Sequence, residues 1–152
     1  MIPLLPLLGF LVNGLLGKYL PKGSTGWIGS LTVLGSFICT LLIFKDLGAS
    51  DSIQIDLFNW ISFGDIDISF GLAIDALTMV MLMVVTGVGF LIHLYSIGYM
   101  HGDSGFTRFF VYLNLFIFFM LLLVMGSNYL MMFIGWEGVG LCSYLLIGFW
   151  FK

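Results

Sequence analysis

FFVYLNLFIFFMLLLVMGSNYLMMFIGWEGVGLCSYLLIGFW, the run from Phe109 to Trp150, decides the fold. Its two apolar stretches, 109–125 and 129–150, each have the length that carries a helix across a hydrocarbon layer, about 20 residues. Only Gly126, Ser127 and Asn128 separate them, so the two helices must form a tight antiparallel hairpin. The whole chain shares this character. Of its 152 residues 61% are hydrophobic, 17% aromatic and 9% charged, whereas an average soluble domain carries about 25% charge. Eight acids and five bases cannot coat a soluble globule of this size. The sequence therefore predicts an all-α membrane protein.

Working outward from that hairpin gives five transmembrane helices, at about 2–20, 27–44, 73–99, 109–125 and 129–150. Pro21 and Gly23 close the first, with Lys18 reaching toward the headgroups. No basic stretch precedes it, so it reads as a retained span rather than a signal peptide. Lys45 and Asp46 close the second. Between the second and third spans the period changes from helical to two: Ile53, Ile55 and Leu57 alternate with Gln54 and Asp56, and Ile66, Ile68, Phe70 and Leu72 with Asp67, Ser69 and Gly71. That alternation predicts an extramembrane β-hairpin at about 52–72, joined through 59–65 with its turn at Gly64 and lying on the bundle; an irregular acidic loop is the alternative. No linker divides the chain, which reads as a single membrane domain over 1–152.

Four of the five bases, Lys18, Lys22, Arg108 and Lys152, fall on one side of this topology and Lys45 on the other. The positive-inside rule then puts the N-terminus, the acidic hairpin and the 126–128 turn outside and the C-terminus in the cytoplasm. Without a basic run, nucleic acid is excluded as a partner. Cys39 and Cys142 lie in separate apolar runs and define neither a disulfide framework nor a metal site.

Glu137 is the residue that composition does not explain. It lies about 14 Å along the helix axis from Asn128, near the middle of a roughly 30 Å hydrocarbon layer. A carboxyl at that depth costs about 2.5–3.5 kcal/mol and marks a proton or ion route when it faces a polar interior; a protonated, hydrogen-bonded packing role is the alternative. A turn of about 100° per residue puts Leu130, Phe133, Leu141, Tyr144 and Gly148 on the Glu137 face, and Gly135, Gly138 and Cys142 on another, suited to close helix packing. His93 is a possible proton relay near the cytoplasmic end of the third span, or else a hydrogen-bonded packing residue, the commoner role of a lone imidazole. Asn114 reads as an interhelical hydrogen-bond former and Asp75 as the cap of the third helix. Gly102-Asp103-Ser104-Gly105 lacks the partners of a serine nucleophile, and Gly87-Val88-Gly89 lacks the frame of a nucleotide fold.

The string from Arg108 to Phe116, RFFVYLNLF, and that from Gly135 to Trp150, GWEGVGLCSYLLIGFW, resemble the fourth and fifth helices of the antiporter-like membrane subunits of respiratory complex I, the subunit L type among them. Phe90 to Met100, FLIHLYSIGYM, is similar to the end of that family's third helix, and the acidic hairpin to its periplasmic β element. The resemblance covers essentially the whole chain. It implies a proton-translocating subunit of NADH-quinone oxidoreductase in a bacterial inner membrane, partnered by other membrane-arm subunits and by lipid. No cofactor is then expected in this chain, since NADH, flavin, iron–sulfur clusters and quinone belong to other subunits. By motif, Glu137 takes the place of the family's fifth-helix glutamate, which pairs with a lysine on the seventh helix. This sequence stops at Lys152, short of that helix; a fragment, a truncated reading frame and half of a split subunit are the readings this leaves. The same family includes subunits of cation/proton antiporters and membrane-bound hydrogenases, and a purely structural helix bundle is a third possibility.

Overall fold

The computed structural model describes residues 1–46, 52–63 and 66–150, apart from the side chains of Lys22, Phe63 and Ile66. Five helices and one two-stranded antiparallel sheet follow in the order α1 (Leu4–Leu16), α2 (Lys22–Asp46), β1 (Ile53–Phe63), β2 (Ile66–Ile74), α3 (Ala76–Tyr99), α4 (Phe106–Met125) and α5 (Tyr129–Ile147). A 3₁₀ turn, Gly148–Trp150, ends the described chain.

Four of the helices, counted as Gly23–Asp46, Ala76–Tyr99, Phe106–Met125 and Tyr129–Trp150, are long and apolar enough to cross a membrane. The first is an apolar helix of 13 residues, Leu4–Leu16, shorter than the helix expected over 2–20. Pro3 stands at the N-cap of α1 and the helix stops at Leu16, with Gly17 as C-cap and Tyr19 N–H donating to Leu16 O at 2.9 Å. Pro21 disfavours helical geometry at the residue before it, so α1 cannot run through to α2. Its 13 residues rise only about 20 Å. Conversely α2 starts well before Trp27, directly after Pro21, whose fixed φ suits a helix entry. Helix α4 begins at Phe106, earlier than expected, and the fifth helix stops short of Trp150, where Gly148 opens the 3₁₀ turn and Phe149 folds inward against Phe109.

The hairpin is present, with strands longer than the sequence suggests. Much of the expected 59–65 connection is strand, and the predicted turn at Gly64 lies outside the described residues. The ladder runs from Ile53↔Ile74 to Phe63↔Ile66 and shifts register between Asp56 and Phe58 and between Asn59 and Ile61. These two bulges break the strict alternation of β1. Phe58 then stacks on Phe70 with ring centroids 5.1 Å apart. Strand β2 lies against the bundle: Ser127 N–H donates to Gly71 O at 3.2 Å, and Asn128 Nδ2 donates to Ser69 O at 2.6 Å. The hairpin and the α4–α5 turn therefore share one end of the molecule. Ile2, Ile74, Met79 and Met125 belong to one buried apolar cluster, and Met100, Phe106, Phe110 and Phe149 to another.

Candidate functional site

Helix α5 is placed by its small residues. Asn128 caps it, its side chain accepting from Met131 N–H at 3.0 Å. Gly135, Gly138 and Cys142 are all buried. A Cβ on Gly135 would meet the Leu123 backbone, and one on Gly138 would run into the Phe119 ring. The absence of side chains at these positions is what lets α4 and α5 approach so closely.

The opposite side of α5 is open. Glu137 is exposed there, and so are Phe133, Leu141 and Gly148 from the same predicted face; Leu130 is half-buried. Trp136 is 67% exposed, Tyr144 75% and Ile147 84%. Among the described residues Glu137 has no hydrogen-bond or ion-pair partner. An ionisable group in mid-helix, beside aromatic side chains and facing away from its own bundle, needs a polar surface to close over it, because exposure to lipid would carry the full insertion cost.

His93 and Asn114 are elsewhere, inside the bundle. His93 is fully buried, its Nδ1 2.8 Å from Gly89 O and its ring 6.1 Å from Phe110, while Nε2 has no partner. Asn114 accepts from Thr32 Oγ1 at 3.0 Å and donates from Nδ2 to Phe110 O at 2.9 Å, joining α2 to α4. Neither side chain shares a surface with Glu137, so the three residues form no single site. Asp75 accepts from Thr78 N–H at 2.7 Å at the start of α3. That N–H, and next the Thr78 hydroxyl, hold its carboxyl below the usual value of 3.8.

A stripe that the sequence reading missed lies on α2. Thr25, Gly29, Thr32, Ser36 and Thr40 recur at helical spacing and form part of the interior facing α1 and α4. Ser36 Oγ donates to Ile2 O at 2.8 Å, Thr40 Oγ1 to Ser36 O at 2.9 Å, and Thr25 lies 3.4 Å from Thr107 through the two hydroxyls. Among the described residues no group of three or more His, Cys, Asp or Glu could hold a metal, and Cys39 and Cys142 are unpaired.

Residues 60–110, from late β1 into the start of α4, match the family model for the N-terminus of NADH-ubiquinone oxidoreductase (complex I) chain 5. The chain is 45% identical over 150 residues to NADH-quinone oxidoreductase subunit L of Escherichia coli, covering 97% of this chain and 24% of that protein. It resembles complex I subunit L/chain 5 over its whole length. The subunit L of Rickettsia conorii is 44% identical over 100% of this chain and 23% of its own length, and chain 5 of Hypocrea jecorina 43% identical over 99% and 22%. The chain thus spans about a quarter of the length of these subunit L/chain 5 relatives. The similarity extends through the hairpin and α3, and Glu137, the residue singled out by the fifth-helix motif, is exposed on α5.

Proposed function

We propose that this chain forms part of a membrane-arm subunit of a proton-translocating NADH-quinone oxidoreductase, with Glu137 as its proton-carrying residue. The carrying observation is the open face of α5: a carboxyl without a partner among the described residues, displayed among aromatic side chains. Helices bearing a base would pack there. A cation within a few ångströms offsets the cost of a carboxylate at membrane depth and lets proton transfer follow its approach and withdrawal. Redox chemistry takes place in other subunits, which hold the nicotinamide, flavin, iron–sulfur and quinone sites, and this chain takes part through the proton.

In this reading all five helices cross a bacterial inner membrane, with the N-terminus outside and the C-terminus cytoplasmic. Support for a crossing by α1, despite its length, is that Ile2 packs in the cluster containing Met125, while Lys18 lines the same groove as Arg108. Residues 2–18 thus run along α4 between those two depths, about 26 Å. The exposed apolar side chains of β1, Ile55, Leu57, Phe58 and Trp60, would rest on a neighbouring subunit. In an assembled complex containing this sequence, Glu137→Gln keeps the side-chain shape but removes the exchangeable proton, so coupled quinone reduction and proton pumping should fall together. Pumping equal to the parent would reduce Glu137 to a packing residue.

A further inference from the structure

At the end of the bundle away from the hairpin, α1 and α4 part to leave a groove of about 520 Å³. Lys18, just beyond α1, and Arg108, in the first turn of α4, both line it and are both exposed. They come from distant parts of the sequence and converge on one opening. Among the described residues neither is paired with a carboxylate; Arg108 rests over the Phe149 ring, 5.0 Å from its centroid. The nearby acid in sequence, Asp103, turns its carboxylate to the Gly105 N–H at 2.6 Å and the Trp150 indole N–H at 3.0 Å.

Two further features bear on what the groove would hold. Asn13 lines it and is buried; its Nδ2 donates to Thr25 O at 3.0 Å and its Oδ1 has no partner. Gly14 and Val111 supply an apolar flank one turn deeper along the two helices. A basic rim at the mouth and an apolar flank one turn deeper follow the order of phosphate and acyl chain in a phospholipid. Free phosphate would use only the first.

We propose that the α1–α4 groove binds the headgroup of an anionic membrane phospholipid, with Lys18 and Arg108 on the phosphate and the acyl chain along Gly14 and Val111. Basic pockets between membrane helices at the headgroup level recognise acidic lipids in this way. The test is native mass spectrometry of the 152-residue chain in detergent, titrated with phosphatidylglycerol or with phosphatidylcholine of the same acyl chains. The parent should retain phosphatidylglycerol in preference. Lys18→Gln with Arg108→Gln should weaken that binding about 30-fold, and Lys18→Gln alone, an exposed change that the fold tolerates, about fivefold. Lys45→Gln, at the other end of the bundle, should leave it unchanged. Equal retention of the two lipids by the parent, or undiminished retention by both groove variants, would overturn the proposal. Complete displacement of phosphatidylglycerol by millimolar inorganic phosphate would also overturn it, in favour of a free-anion site.

Discussion

The interior between α1, α2 and α4 and the outer face of α5 both place polar groups at membrane depth, in opposite states. Inside, Asn114 holds Thr32 and the Phe110 carbonyl, and Ser36 and Thr40 donate to carbonyls one turn back or across to α1. On α5, Glu137 has no hydrogen-bond or ion-pair partner among the described residues. Hydroxyls and amides can satisfy themselves on nearby backbone, so they join helices without outside help. A carboxyl in mid-helix cannot, and its presence without a partner indicates a surface designed to meet another one. The interior is therefore where this chain is held together, and the α5 face is where, on the function proposed above, it acts.

Substitutions on the two sides of α5 should break that contrast most sharply. Gly138→Leu drives a side chain into the Phe119 ring and should destabilise the chain by about 1–3 kcal/mol or more. Glu137→Gln, one residue away but open, should shift stability of the chain in detergent by less than about 0.5 kcal/mol. Reversible unfolding in mixed micelles measures both, and equal losses would mean that α5 is not divided into a packing and an open face.

A smaller effect belongs to the interior. Asn114→Leu removes the α2–α4 hydrogen bond but leaves Thr32 Oγ1 its bond to Gly29 O, so the cost should be about 0.6–1.7 kcal/mol. A double-mutant cycle with Thr32→Val would give a coupling of that order; no coupling would show that the two helices are held by packing alone.

Asp75 sharpens the comparison at the membrane edge. Its carboxyl is held below 3.8 by Thr78, so its contribution is present above that value and is lost as pH falls through the lowered folded value. Thermal stability of the parent should drop in that acid range more than that of Asp75→Asn, whose side chain still caps without titrating. Identical acid profiles would remove the cap from the account.

How much of this could be read from the sequence differs by element. The two faces of α5 were legible because one carboxyl and a set of small residues differ enough from the large apolar side chains for a turn of about 100° per residue to sort them. Asn114 and Asp75 stood out for the same reason. The α2 stripe of Thr25, Thr32, Ser36 and Thr40 was hidden: serine and threonine barely lower the hydropathy of a span, although their spacing is as regular as any apolar face. The length of α1 escaped because the sequence lets the helix continue to Leu20, whereas it ends at Leu16 with Gly17 as C-cap. The bulges of β1 were invisible because the extra residues, Leu57 and Trp60, are themselves good strand formers. Convergence of Lys18 and Arg108 required the packing of α1 on α4, which no local pattern encodes.

The central claim, that the Glu137 face of α5 meets a base-bearing helix, is tested most directly by a photocrosslinking residue in place of Trp136 in an assembled complex containing this sequence. Mass spectrometry of the adducts should identify a membrane-spanning peptide that contains a lysine, arginine or histidine. Adducts with lipid alone would contradict the account, because they would leave Glu137 facing the bilayer.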